Sequence, residues 1–299
     1  MSNPAYEKLK ALKPQHEFFI GIDSDGCVYD SMEIKHKECF IPPFIKHFEL
    51  QPISKYAREA AEFTNLYSKS RGANRFIAYL QALELLTKRK DVIDRNFKVP
   101  LIESLKQFIN SGNSIDNPGL QKLIDANPKD TELKQIQDWS LEVNKTVKDL
   151  VRNVPPFPLV PKCLEKAKAL ADLLVVSSTP EETLQHEWKE SNILQYITVI
   201  AGQETGTKKD VLNAATKGKY KEVKTLMIGD APGDYAAAKA NNALFFPINP
   251  GYESESWERF NNEAFDKFIA GTFAGDYEKN LLKEFDKLLP EKPNWKVIN

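Results

Sequence analysis

Apolar and polar positions follow two different rhythms along this chain. Near the start, Phe18-Phe19-Ile20-Gly21-Ile22 is an unbroken apolar run with the length and composition of a strand buried on both faces. It stops on Asp23-Ser24-Asp25-Gly26. From about Ser31 to Pro155 the apolar residues recur at helical spacing and no convincing strand is found. There Ile34, Phe40, Ile45 and Phe48 surround a break at Pro42-Pro43, and helices are expected over 53–67, 76–86, 101–109, 119–126 and 131–151. Past the stiff Val154-Pro155-Pro156-Phe157-Pro158 segment, short apolar runs return at 173–176, 196–201, 225–228 and 243–248. Helical patterns lie between them at 161–171, 208–215 and 235–240. Another helix is expected to open at Thr179-Pro180-Glu181-Glu182, read as an N-cap, a proline at the first helical position and a glutamate at the third. Two closing helices over 256–270 and 277–289 and a polar tail complete the pattern.

Strand–helix alternation on both sides of the helical stretch predicts an α/β fold, a doubly wound parallel sheet of Rossmann-like type with an all-α domain inserted after the first strand. The expected division is 1–30 with 156–299 for the α/β domain and 31–155 for the insertion. A length of 299 residues accommodates both. The formal charge of −1 points to no polyanionic partner, so nucleic acid is not expected. No apolar run approaches a membrane span, and the first residues lack the pattern of a secretory signal; a cytoplasmic setting is the expectation. Cys27, Cys39 and Cys163 show no metal-ligand spacing, and the four histidines make no zinc site. The oligomeric state is not legible.

The chemistry concentrates where strands stop. Asp23 and Asp25 at the end of a buried strand are costly unless something compensates their charge, and a metal cation is the simplest compensation, with Gly26 letting the backbone turn away. A strand ending in an Asx-type turn is the alternative for such a stretch taken alone. The second strand stops on Ser177-Ser178 and the fourth on Gly229-Asp230, with Asp234 close behind; Lys208-Lys209 opens the helix after the third. In a parallel sheet these groups gather at one edge. Carboxylates, a hydroxyl and an ammonium suit Mg²⁺ with a substrate phosphate.

In order and spacing, Asp23-x-Asp25-Gly26, Ser177, a lysine at 208 or 209, and Gly229-Asp230-x-x-x-Asp234 resemble the four motifs of the haloacid dehalogenase-like (HAD) superfamily of aspartate-nucleophile phosphohydrolases. The resemblance covers the α/β portion, and the helical insertion is similar to that superfamily's C1-type cap. It implies a Mg²⁺-dependent phosphatase acting on a small phosphorylated metabolite. Asp23 becomes the nucleophile that forms a phosphoaspartate and Asp25 the general acid and base. Ser177, with Ser178 and Gly26, becomes the phosphate-binding group, and Lys208, preferred to Lys209, the fixed countercharge. Asp23, Asp25, Asp230 and Asp234 become the metal set. A sugar phosphomutase on the same scaffold, or a non-catalytic phospholigand-binding protein, are the alternatives. Cys27 departs from the threonine common at that position. Substrate specificity is expected from the basic, hydroxyl-rich stretch that holds Arg71, Asn74 and Arg75.

Overall fold

A computed structural model describes residues 4–298 of the chain. Two compact units emerge: one runs through Ser31 and resumes over Asn153–Leu288, the other comprises Met32–Arg152 with the chain from Leu289 onward.

The first unit is built on five parallel strands, β1 Phe18–Ile22, β2 Ala171–Val176, β3 Val199–Ala201, β4 Thr225–Gly229 and β5 Leu244–Pro247. Their order is β3-β2-β1-β4-β5. The chain winds outward from β1 to β3, then crosses to β4 and β5, so the order reverses between β1 and β4. That reversal is the crevice where open α/β sheets bind ligands, outside the carboxyl ends of the strands. Register is tight across it: Ile22 pairs with Ile228, and the Asp23 N–H still reaches the Ile228 carbonyl at 3.0 Å.

Both faces of the sheet are covered, which is why the strands read as unbroken apolar runs. Ile20, Ile22, Leu173, Val175, Leu226, Ile228 and Phe246 belong to one core together with Trp188, Trp257, Phe260 and Phe268. The opposite face is packed by the Lys208–Thr216 helix, whose Leu212 side chain reaches Gly21 in the middle of β1. Strand and helix positions follow the sequence pattern closely, with local shifts. The third strand is shorter than expected because Leu194–Tyr196 forms a 3₁₀ turn ahead of it.

The second unit is all helical, with its longest helices at Ser54–Leu66, Arg75–Thr87 and Thr131–Leu150. Trp139 is its hub, fully buried, with ring centroids 5.5 Å from Phe48, 5.7 Å from Phe76 and 4.9 Å from Tyr79. Truncating such a side chain to alanine costs about 3–5 kcal/mol. The expected break at Pro42-Pro43 is no break. A π-helical stretch, Lys35–Phe40, runs directly into the Ile41–His47 helix, which carries the prolines in its first turn where their missing N–H groups cost least.

The C-terminal segment also differs from the expected polar tail of the α/β domain. From Leu289 onward it belongs to the helical unit. The Ile298 N–H donates to the Lys88 carbonyl at 2.7 Å, and Trp295 packs edge-on against Phe63 at 5.5 Å. The buried Arg89 guanidinium stacks on both Trp295 and Tyr56 at 4.5 Å and pairs with Glu59 and Asp91. The tail's apolar residues, Leu289, Trp295, Val297 and Ile298, follow no helical or strand period, so a pattern of positions does not reveal them.

Candidate functional site

The carboxyl edge of the sheet gathers the polar strand ends. Asp23 follows β1, Asp230 follows β4, and Asp234 lies in the first turn of the Pro232–Ala240 helix. One carboxylate oxygen from each lies within 4.8 Å of the others, and all three residues are buried. Lys208 opens its helix at the same edge. Its Nζ donates to Asp23 Oδ2 at 2.8 Å and to Asp234 Oδ1 at 2.6 Å, whereas Lys209 is exposed. Three buried carboxylates crowd around one ammonium, a concentration of negative charge that a hard divalent cation with oxygen ligands would offset.

Two glycines shape this edge. Gly26 has φ +73°, the left-handed region that only glycine enters without strain, and this turns the chain back after Asp25. Its N–H donates to the Tyr29 carbonyl at 2.8 Å. The Gly26 amide, expected to bind phosphate, closes the turn in this structure. Gly229 works by size. A Cβ there would lie 2.4 Å from the Asp234 carboxyl carbon, so a bare backbone is what lets Asp234 sit against the end of β4. Asp234 Oδ2 also accepts the Ala231 N–H at 3.1 Å, and the helix begins three residues earlier than the apolar pattern implies.

The electrostatics follow from crowding. Burial, reinforced by the neighbouring Asp234 charge, pushes the Asp23 carboxyl up to about 7 against the pull of Lys208 and the Ser24 N–H. Asp234 is likewise raised, by burial and then by Asp230, with Lys208 opposing. Burial works against the charge on Lys208, but Asp23 and Asp234 more than reverse that and hold it firmly as an ammonium.

Asp25 stands apart from the acidic cluster. Its Oδ2 accepts the Thr179 hydroxyl at 2.6 Å and its Oδ1 accepts the Ser31 hydroxyl. The carboxylate expected among the metal ligands is thus engaged by two hydroxyls, and the three-carboxylate cluster is formed without it. Physically this separates two tasks: a group bonded to hydroxyls keeps one orientation, while a group crowded by other acids needs a cation. Thr179 also departs from expectation: Pro180 occupies the cap position of the Glu181–Glu190 helix and the Thr179 hydroxyl is engaged elsewhere.

Ser177 is buried at the end of β2, its Oγ accepting the Thr179 N–H at 3.2 Å; Ser178 is exposed. Cys27 is fully buried, and burial, with the charges of Asp23, Asp230 and Asp234, pushes its thiol well above the usual range. Its carbonyl accepts the Trp257 Nε1–H at 2.8 Å, so the residue helps seat the loop as a small protonated core group. Trp188 of the Glu181–Glu190 helix donates its Nε1–H to Ser24 Oγ at 3.0 Å and braces the same loop.

The three residues expected to confer specificity are engaged within the helical unit. Asn74 caps the Arg75–Thr87 helix, accepting the Phe76 N–H at 3.0 Å and donating to the Ile115 carbonyl at 2.7 Å. Arg71 is buried and donates to the Leu66 carbonyl at 3.0 Å. Arg75 donates to Asn144 Oδ1 at 2.7 Å and lies over the Phe40 ring. Basic and hydroxyl residues before a helix serve equally as caps and as ligand groups, and here the visible use is structural.

A family model described as haloacid dehalogenase-like hydrolase matches residues 81–247, a span that includes Ser177, Lys208, Asp230 and Asp234 and begins after Asp23 and Asp25. No curated protein matches the chain. Among solved structures it is similar to a provisionally assigned phosphoglycolate phosphatase of Lactobacillus delbrueckii subsp. bulgaricus, with 16% identity over 83% of this chain and 92% of that one and a TM-score of 0.46. It is also similar to a haloacid dehalogenase-like family hydrolase of Streptococcus pneumoniae, with 14% identity, coverage of 82% and 91%, and a TM-score of 0.42. A hydrolase of Pseudomonas syringae follows with 15% identity, coverage of 81% and 90%, and a TM-score of 0.44. No helix among the described residues is long and apolar enough to cross a membrane.

Proposed function

Since the chain belongs to the haloacid dehalogenase-like hydrolases, we propose that it is a Mg²⁺-dependent phosphatase that hydrolyses a small phosphomonoester through a phosphoaspartate on Asp23. The observation that carries this reading is Lys208 Nζ shared between Asp23 and Asp234, with Asp230 completing a buried three-carboxylate cluster. A lysine and three acids converging from β1, β4 and two helices serve no packing purpose that apolar residues would not serve better.

In this reading an Asp23 carboxylate oxygen attacks phosphorus, splitting one difficult displacement into two easier ones. Asp25 gives a proton to the departing alkoxide and later takes one from the water that cleaves the aspartyl-phosphate. Lys208 steadies Asp23 and the phosphoryl oxygens, and the Ser177 hydroxyl holds the phosphoryl group. Asp23, Asp230 and Asp234 would hold Mg²⁺. When bound, the ion supplies charge neutralisation for the phosphoryl group. The inserted helical unit, 31–155 in the sequence division, is proposed as the cap, with Arg71, Asn74 and Arg75 proposed to contribute to specificity through the loop they stabilise.

The test is release of inorganic phosphate from 4-nitrophenyl phosphate and a panel of small phosphate esters with Mg²⁺, combined with acid-quench trapping of a labelled phosphoenzyme. Phosphate release and trapped label in the wild type, both lost in Asp23→Asn, are the expected results. Isomer formation without phosphate release would replace the phosphatase with a mutase. Equal inactivity of wild type and Asp23→Asn across the panel would sink the enzyme reading.

A further inference from the structure

Thr179 lies two residues beyond Ser177, in the turn between β2 and the Glu181–Glu190 helix. The sequence pattern assigns its hydroxyl to the helix as a cap. In the structure the Glu181 N–H is served by Glu204 Oε2 at 3.0 Å, and the Thr179 hydroxyl donates to Asp25 Oδ2 at 2.6 Å. The second Asp25 oxygen, Oδ1, takes the Ser31 hydroxyl. One donor on each oxygen fixes both the position and the plane of a carboxyl group.

The turn that carries Thr179 is itself pinned. Its N–H donates to Ser177 Oγ at 3.2 Å, and its carbonyl accepts the Gln203 N–H at 3.0 Å. Threonine is branched at Cβ, so its χ1 has few options once the backbone is set, and the hydroxyl is aimed before any substrate arrives. A single short turn therefore links the serine expected to hold a phosphoryl group with the hydroxyl that holds the expected acid.

We propose that Thr179 is a positioning residue for Asp25. It aims the Asp25 carboxyl at the leaving-group oxygen while Ser177, in the same turn, holds the phosphoryl group, so the two are kept in register. The inference rests on the phosphatase reading above. In the step concerned, Asp23 oxygen bonds to phosphorus and the bond from phosphorus to the leaving oxygen breaks. That oxygen keeps the electron pair and receives the proton carried by Asp25. No other reactant is required.

A misdirected acid hurts poor leaving groups most, because a good one departs without a proton. That dependence separates positioning of the acid from general structural support. The experiment measures kcat/KM with Mg²⁺ for phenyl phosphate, whose leaving group is poor, and 4-nitrophenyl phosphate, whose leaving group is good. The chains compared are wild type, Thr179→Val and Thr179→Ser. Thr179→Val keeps the branched shape and removes only the donor. It should lower kcat/KM for phenyl phosphate by roughly ten- to hundred-fold and for 4-nitrophenyl phosphate only several-fold. Thr179→Ser, which restores the hydroxyl, should recover most of the loss. Thermal unfolding confirms that each variant is folded.

An equal loss on both substrates, or no recovery in Thr179→Ser, overturns the positioning role. Wild-type rates in Thr179→Val beside an active wild type overturn it too and leave the phosphatase reading intact. Absence of turnover in the wild type removes both. Should Thr179→Val fail to fold, Thr179→Ala and Thr179→Asn supply the same comparison of the two leaving groups.

Discussion

The sheet buries carboxylates at both of its ends and treats them in opposite ways. At the amino end Asp172 is 2% exposed and collects the Gln15 N–H at 2.9 Å, the His16 N–H at 3.1 Å and the Tyr220 hydroxyl at 2.7 Å. The His16 ring nitrogen Nδ1 lies 3.1 Å from its other oxygen. Burial alone would raise this carboxyl, but Tyr220 and His16, followed by the backbone donors, hold it below the ordinary carboxylate range. At the carboxyl end burial and neighbouring acids win, and Asp23 and Asp234 are raised despite Lys208. Plentiful donors make a buried acid a fastener between chain segments. Acids crowded onto one another and one lysine make a site that spends stability on charge.

The sharpest contrast is in activity. Asp23→Asn should lower kcat/KM for an aryl phosphate by about 10⁴-fold or more, while Asp172→Asn stays within roughly three-fold of wild type because it lies at the far end of the sheet. Comparable losses in both variants would erase the distinction between site and fastener.

Next comes the lysine. Lys208→Met leaves Asp23 and Asp234 buried without their ammonium, and the metal-free protein should lose about 3 kcal/mol of stability in urea unfolding. Lys209→Met, at an exposed position, should change stability by no more than about 0.5 kcal/mol. A smaller effect from Lys208 than from Lys209 would mean that the cluster is not held as described.

At the amino end Asp172→Ala strands the Tyr220 hydroxyl and two backbone donors, at a cost of about 1–3 kcal/mol, and turnover of any aryl phosphate should stay near the wild-type rate. The smallest expected effect is its pH dependence. A carboxyl whose folded value lies below its unfolded value adds stability that is fully present above the unfolded range, and that stability is lost as pH falls through the folded value. The urea midpoint of the wild type should therefore drop on acidification below the ordinary carboxylate range, and Asp172→Asn should shallow that drop. An unchanged acid limb in the variant would assign the acid sensitivity to other groups.

How much of this was readable differs from residue to residue. β1, β2, β4 and β5 were legible because a strand covered on both faces has no polar alternative, so its run cannot be disguised. Asp23, Asp230 and Asp234 stood out because acids at the ends of buried runs are costly, although only their convergence separates a cluster from single Asx-type turns. Thr179 was misread, since a threonine ahead of proline and glutamates satisfies the local logic of a helix cap. Its actual partner, Asp25, is 154 residues away. The fate of the C-terminal segment was equally hidden, because Trp295 and a few backbone hydrogen bonds carry no periodicity.

The strand and helix pattern, the helical stretch after the first strand and the polar residues at the strand ends are all local features, because burial and backbone geometry act on neighbours a few positions apart. Folding of the whole chain put the Lys208 ammonium between Asp23 and Asp234, set Thr179 and Ser31 against Asp25, closed a turn with the Gly26 amide and joined the tail to the helical unit. Each of those outcomes depends on which distant atoms arrive within about 3 Å, and the order of residues along a chain does not encode that distance locally.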